Sequence, residues 1–282
     1  MATPIGNLGD LSARARETLA SAALIAAEDT RHTGVLLKAF GISTPMISLH
    51  DHNEAQRAPQ LIERLRGGES VALVSDAGTP AISDPGFDLV RLAAAEGIEV
   101  VAVPGPCAAV AALSIGGLPT DRFCFEGFLP ARGSARRSRL ELLKDEPRTL
   151  VFYESPHRVA ESLEDCAAVF GAARPAVVAR EITKLHETTY RGSLGELAAG
   201  AVRDPDFARG EIVLVVGGAP AHAGASELGA DGHGGALDKV LVLLMAELPL
   251  KQAAHLAAKI AGTRDNETYK RALALRQASE GA

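Results

Sequence analysis

The chain has 282 residues, with 47% apolar and 23% charged residues and a formal net charge of −6. No apolar run approaches the roughly eighteen residues of a membrane span. The N-terminus shows no basic patch followed by an apolar run. Cys107, Cys124 and Cys166 stand far apart with no CxxC pair, which excludes a disulfide framework and a zinc site. The expectation is a cytoplasmic protein without metal or membrane contact. An aromatic content of 4% with no Trp excludes a grip on single strands by stacking many bases, so any nucleic-acid contact must come from local clusters of Lys and Arg.

The length allows two compact domains and a small appendage. Up to about residue 115, short apolar runs at Ala23 to Ala27, Val71 to Val74 and Val100 to Val103 alternate with helical stretches at Ser12 to Ala22, Glu54 to Arg66 and Pro85 to Glu96. Pro85 at a first helical position and Gly97 past the end make the last a bounded helix. Short apolar strands between helices read as a parallel α/β sheet covered on both faces. Gly116-Gly117-Leu118-Pro119 breaks the chain before a second α/β region, with strands at Arg122 to Phe128, Thr149 to Tyr153, Ala176 to Arg180, Thr188 to Arg191 and Glu211 to Val216. Their weaker alternation predicts a mixed sheet. Gly218 to Gly235 reads as a flexible linker spanning about 20–25 Å. Three short helices follow, at Leu237 to Glu247, Leu250 to Ala261 and Asn266 to Ala278. The organisation is therefore 1–116, 117–217, linker 218–235 and a helical module 236–282.

Three glycine- and proline-rich loops follow the predicted strands. Pro4-Ile5-Gly6-Asn7-Leu8-Gly9 would let backbone approach a ligand, although the spacing is not GxGxxG and a plain turn fits equally. The segment from Val74 to Gly86, VSDAGTPAISDPG, opens from a buried strand with two carboxylates, beyond the strand end where open α/β sheets bind ligands. Val103-Pro104-Gly105-Pro106-Cys107-Ala108 repeats the pattern. Three such loops in one domain point to a cofactor cleft.

Together, TPIGNLGDLS, AEDTRHTG, SDAGTPAISDPG, PGPCA, FYESPHR and REITKLHETTYRG strongly resemble the ribosomal RNA small subunit methyltransferase I family. Its members are bacterial 16S rRNA cytidine 2′-O-methyltransferases of the tetrapyrrole methylase superfamily. The resemblance covers residues 3 to 217. It implies two α/β domains with S-adenosylmethionine in the cleft between them, a homodimer, and action on 16S rRNA or the small ribosomal subunit at its decoding centre. Carried over by position, it implies cofactor contacts from Pro4, Gly6, Asn7, Asp76, Gly78, Thr79, Ile82, Cys107, Ala108, Tyr153, Ala179 and Glu211. Many superfamily members have Gly-Asp-Pro where Gly78-Thr79-Pro80 stands, which shifts the missing carboxylate's role to Asp76 or Asp84. The family also has a first strand ahead of Thr3, where only Met1 and Ala2 stand; the expectation is a start codon assigned late. Ile182 replaces the usual Leu, a volume-conserving change.

Methyl transfer to a ribose hydroxyl needs alignment and loss of the hydroxyl proton. Asp29, in Asp29-Thr30-Arg31-His32, could take that proton and Arg31 hold a phosphate; a helix cap at Asp29 with a solvated Arg31 is the alternative. Lys184 and Glu187 offer a second catalytic group: a desolvated Lys184 could act as base, or stay charged and hold the phosphate, and a surface ion pair is the alternative. Glu154 and His157 read as capping a helix at Ser155-Pro156, and His50-Asp51-His52 as an exposed loop. Arg132, Arg136, Arg137 and Arg139 stand on a loop and first helical turn without an acid between them. The helix dipole disfavours cations there, so an RNA phosphate partner is the reading, against a solvated face. Residues 237–282 carry seven Lys/Arg against five Asp/Glu, and Gly262 ends the middle helix. That module resembles the family's helix-turn-helix, with a dimer-stabilising helical hairpin as the alternative. A tetrapyrrole or diphthamide acceptor leaves the arginine run and the tail unexplained. A non-catalytic nucleic-acid regulator that keeps the cleft is the competing class.

Overall fold

The computed structural model describes residues 1–220 and 234–280. The expected linker 218–235 falls mainly outside the described residues. The chain forms two compact units, Met1–Ala219 and Pro220–Ala282.

The larger unit opens with helix α1 (Ala13–Ser21), whose N-cap Ser12 accepts from the Ala15 amide. Strand β1 (Leu24–Ala27), helix α2 (Thr30–Ala39), strand β2 (Met46–Ser48), helix α3 (Glu54–Arg66) and strand β3 (Val71–Val74) follow. They build a parallel sheet of order β2-β1-β3. Leu24 and Ala26 pack on one face of β1, Ile25 and Ala27 on the other, so both faces are covered, as the apolar run predicts. β2 escaped the sequence reading because three residues carry no periodicity.

Two boundaries differ from expectation. Val100 to Val103 is not a strand: one backbone bond reaches it, from the Ala2 amide to the Val103 carbonyl, and Val100 and Val101 stay exposed. Helix α4 spans Phe87–Ala95 with Gly86 (φ 121°) as N-cap, leaving Pro85 outside. The cause is distant in sequence. Buried Glu54 at the start of α3 accepts from the Gly86 and Leu89 amides and so caps α4 from across the fold.

Helix α5 (Ala108–Gly116) ends at left-handed Gly117. Strand β4 (Phe123–Phe128), helix α6 (Gly133–Leu143), strand β5 (Thr149–Glu154), helix α7 (Val159–Phe170), strands β6 (Pro175–Arg180) and β7 (Thr188–Ser193), helix α8 (Leu194–Arg203) and strand β8 (Ile212–Val216) complete the unit. Their sheet has the order β4-β5-β8-β6-β7; β4 and β5 are parallel and the other pairs antiparallel, a mixed sheet as predicted. Ile212, Leu214 and Val216 of β8 pack toward α7 and α8, while Val213 and Val215 pack with Ile5 and α5. That second face brings residues from both ends of the larger unit against one sheet.

In the smaller unit, helices α9 (Gly234–Glu247), α10 (Leu250–Ala261) and α11 (Asp265–Glu280) surround Leu241, Ala254, Ala257 and Ala272. Gly262, left-handed at φ 66°, ends α10 as the sequence suggests. An Arg271–Asp238 ion pair at 2.7 Å ties α11 to α9. No helix among the described residues is long and apolar enough to cross a membrane.

Candidate functional site

Two neighbouring cavities open where the loops after β1 and β3 meet those around β5, β6 and β8. The first, about 320 Å³, has apolar walls from Ile5, Ile82, Ile182 and Val213, with Thr79, Asp84, Tyr153 and Glu211 as polar groups. The second, about 350 Å³, is lined by the Thr3–Gly6 backbone turn, His32, Val35 and Leu36 of α2, Ser75 and Asp76, and Lys184. Ile5, Ala77 and Glu211 line both, so Glu211 is the one ionisable side chain on the common wall. Both volumes lie at the lower end of small-molecule sites, which run roughly from 300 to 1,000 Å³.

The loops enclosing the first cavity hold unusual backbone. Ala81 (φ 64°) and Ser83 (φ 65°) follow β3, while Glu181 (φ 53°) and Thr183 (φ 68°) follow β6. Thr3 and Gly78 exchange backbone bonds at 2.9 and 3.1 Å, fixing the first loop against the second. Arg180, buried at 7% exposure, donates to the Arg209 carbonyl at 2.8 Å and the His186 carbonyl at 3.1 Å. It thereby ties the two loops that carry Lys184 and Glu211. Tyr153 packs edge-on against Phe125 and Phe128 and accepts from the Ala109 amide at 3.3 Å, so its hydroxyl meets the start of α5.

The expected cofactor residues divide between the cavities. Gly78, Thr79, Ile82, Cys107, Ala108 and Tyr153 line the first, Pro4, Gly6 and Asp76 the second, and Glu211 both. Two lie elsewhere. Asn7 turns its carboxamide oxygen to the Gly9 amide at 2.9 Å, and Ala179 is fully buried between β7 and β8.

The three catalytic candidates are each engaged by neighbouring groups. Asp29 is the N-cap of α2 and lines neither cavity; it accepts from the Arg31 amide at 2.8 Å and its guanidinium at 2.6 Å. These hydrogen bonds hold its carboxyl far below the ordinary carboxylate range, which makes it a poor proton acceptor. Lys184 lies between Glu181 at 3.0 Å and Glu211 at 3.2 Å. Burial works against its charge, but the two carboxylates outweigh burial and raise its pKa, which favours the charged alternative over the base. Glu187 is exposed and accepts from the Thr183 amide at 2.6 Å, holding the loop rather than facing a cavity. Glu154 is buried and accepts from Ser155 and Ser162, steadying the start of α7.

Of the RNA candidates, Arg136 is corrected outright. It is 2% exposed and pairs with Asp165 at 2.6 Å and Glu161 at 3.1 Å, both on α7. Arg137 also reaches Asp165, and Arg139 reaches Glu126, yet both stay about half exposed. Arg31 is exposed beside Asp29. Arg132 accepts from the Arg136 amide through its carbonyl, and its side chain is exposed with no hydrogen bond or ion pair among the described residues.

Sequence reasoning missed Glu28. Its carboxylate accepts from the Asp76 amide at 3.2 Å, and burial first, then the Asp76 charge, raises its pKa. Asp84 beside it is raised to about 6, by burial first and the Glu28 charge second. The signal was the acid-acid pair Glu28-Asp29 at a strand end, of which only Asp29 drew attention. Among the described residues no group of three or more His, Cys, Asp or Glu could hold a metal.

A family model for tetrapyrrole (corrin/porphyrin) methylases matches residues 2–198, and one for the RsmI C-terminal HTH domain matches residues 231–276. The chain is 56% identical over 273 residues to ribosomal RNA small subunit methyltransferase I of Pseudomonas aeruginosa, covering 97% of this chain and 95% of that protein. Among solved structures it resembles uroporphyrin-III-C-methyltransferase from Thermus thermophilus (TM-score 0.54, 23% identity, 76% of this chain, 91% of that one). It also resembles a diphthine synthase (TM-score 0.56, 17% identity, 76% of this chain, 87% of that one). These two likenesses show the fold, which is shared by proteins named for different acceptors. With that fold, a family model over more than half of its length and 56% identity over 97% of it to one such relative, the chain belongs to the tetrapyrrole methylase family and, within it, to the ribosomal RNA small subunit methyltransferase I proteins.

Proposed function

We propose that the chain transfers a methyl group from S-adenosylmethionine to the 2′-hydroxyl of a cytidine in 16S rRNA, at the decoding centre of the small ribosomal subunit. The methyltransferase class follows from the family. The observation that carries the reading to a mechanism is the wall of Ile5, Ala77 and Glu211 common to two cavities. A donor held in one and an acceptor in the other would meet across that wall, which is the positioning that an in-line displacement requires.

The residues fit the cofactor. Ile82, Ile182 and Val213 give apolar walls, Thr79 and Tyr153 give hydrogen-bonding groups, and Asp84 offers a carboxyl for the amino-acid end. When bound, S-adenosylmethionine supplies a methyl carbon on a positively charged sulfur. Glu211, on the wall common to both cavities, would orient the acceptor hydroxyl and take the proton it loses. Glu181 and the ammonium of Lys184 hold the Glu211 region in place, through the Glu211 amide at 2.9 Å and its carboxylate at 3.2 Å. Exposed Arg31, Arg132, Arg137 and Arg139 and the helical module contact RNA phosphates.

The test is transfer of labelled methyl to small subunits from a strain lacking the enzyme, with nuclease mapping of the modified ribose. Label resistant to alkali at a single cytidine is expected. Label on a base, or no label, refutes the reading. Glu211→Gln should lower kcat by about 10²-fold or more while S-adenosylhomocysteine affinity stays within about twofold; unchanged turnover would remove Glu211 from the proton's path.

A further inference from the structure

Phe128, the last residue of edge strand β4, lines the first cavity and is 56% exposed. Regular strand periodicity does not place it there. Phe125 pairs with Val151 and Phe128 with Tyr153, so β4 advances three residues where β5 advances two. The extra residue is a bulge, and it reverses the side on which the end of β4 projects. Without it, Phe128 would fall on the face of Leu150 and Phe152, in the core shared with α6 and α7. With it, Phe128 shares the face of Val151 and Tyr153 and meets the Tyr153 ring edge-on at 5.6 Å. Gly127 permits the bulge: it sits at φ 63°, and a Cβ there would come within 3.3 Å of the Ser83 hydroxyl. Leu129, next along, returns to the core at 3% exposure. A glycine and an irregular strand end thus turn one aromatic ring outward at the edge of the cavity.

We propose that Phe128 is a stacking platform for a base of the target RNA that flanks the methylated nucleotide. The proposal rests on the reading of the chain as an rRNA methyltransferase and adds one base contact to the phosphate contacts of the arginines. The cavity has apolar walls of its own in Ile5, Ile82, Ile182 and Val213, and Phe128 extends them outward. The arginine segment begins four residues later. Arg132 is exposed and lies at most about 14 Å from Phe128 along the chain. Arg137 and Arg139 follow on α6, each about half exposed. Glu126, the one carboxylate of β4, is paired with Arg139, so its charge is offset where a phosphate would approach. An exposed ring beside a run of cations is the combination that grips a single strand, and a ring face accepts any base. Phe128 therefore holds the strand in register without reading its sequence.

The test uses the full-length protein and three substitutions. Phe128→Ala should raise the KM for small subunits by about tenfold, with kcat and calorimetric affinity for S-adenosylhomocysteine within about twofold of wild type. Phe128→Leu keeps an apolar side chain without a ring face and should lose as much. Phe128→Trp should restore the KM, and it gives the chain its only tryptophan. Emission from that tryptophan should be quenched by a short oligocytidylate at low salt. Inorganic polyphosphate, which offers charge without bases, should leave it unchanged. Four results overturn the assignment. A tenfold loss of S-adenosylhomocysteine affinity in Phe128→Ala makes the ring part of the cofactor pocket. Full activity in Phe128→Leu reduces it to apolar filling, and a changed sedimentation coefficient in Phe128→Ala makes it a contact between copies of the chain. Tryptophan emission indifferent to oligocytidylate removes the stacking contact itself. The underlying reading fails separately, if wild type places no methyl on the RNA of small subunits.

Discussion

Asp84 lines the first cavity half-buried, with Glu28 and Asp76 close enough to repel its charge. Its pKa, lifted to about 6 from an ordinary 3.8, means that the folded chain holds this proton more tightly than the unfolded chain does. A carboxyl raised in this way costs stability: the penalty is fully present above pH 6 and vanishes below the unfolded value. Discounted for solvent screening, it is about 1 kcal/mol. Asp84→Asn should therefore raise the Tm of the ligand-free protein by about 2–4 °C at pH 8. The gain should shrink through pH 6 and be absent near pH 3.5. An equal gain at both ends of the range would mean that Asp84 is not held as described.

Between elements, the arginine run shows how one sequence pattern contains two roles. Arg136 is locked between α6 and α7 by Asp165 and Glu161, and the pKa of Asp165 is lowered because its two arginine partners outweigh burial. Arg136→Met leaves a buried carboxylate without its main partner and should cost about 3–5 kcal/mol in urea unfolding. Arg132→Ala should leave stability unchanged and reduce the salt dependence of RNA binding by about one ion. The sequence could not separate the two arginines, because Glu161 and Asp165 lie more than twenty residues downstream and their pairing depends on how α6 packs on α7. Apolar runs and periodicity made β1, β3 and α3 legible, whereas α2 and α8 went unnamed. Val100 to Val103 has the right composition, but a strand also needs a partner, and one bond from Ala2 does not supply a ladder. The cavity-lining glycines, Thr79 and Tyr153 were legible through resemblance. Glu211 was legible as a cofactor contact, and its place on a wall between two cavities emerged only with the fold.

At the scale of the whole molecule, the two units differ in how they are held together. Met1–Ala219 has large aliphatic cores on both sheets, whereas the helical unit closes on Leu241 and three alanines, a small core. Truncation after Ala219 should leave the Tm of the first transition and the affinity for S-adenosylhomocysteine nearly unchanged. Affinity for the small subunit should fall by about tenfold or more, since a second tethered contact is removed. If subunit affinity survives truncation, the helical unit supports something other than RNA contact.

Ala81, Ser83, Glu181 and Thr183 keep left-handed backbone without being glycine, at about 1–3 kcal/mol each. Hydrogen bonds at Glu181 and Thr183 hold the second of these loops in that shape without a ligand, so this part of the site is formed in advance. Such a surface suits a partner that is itself stiff.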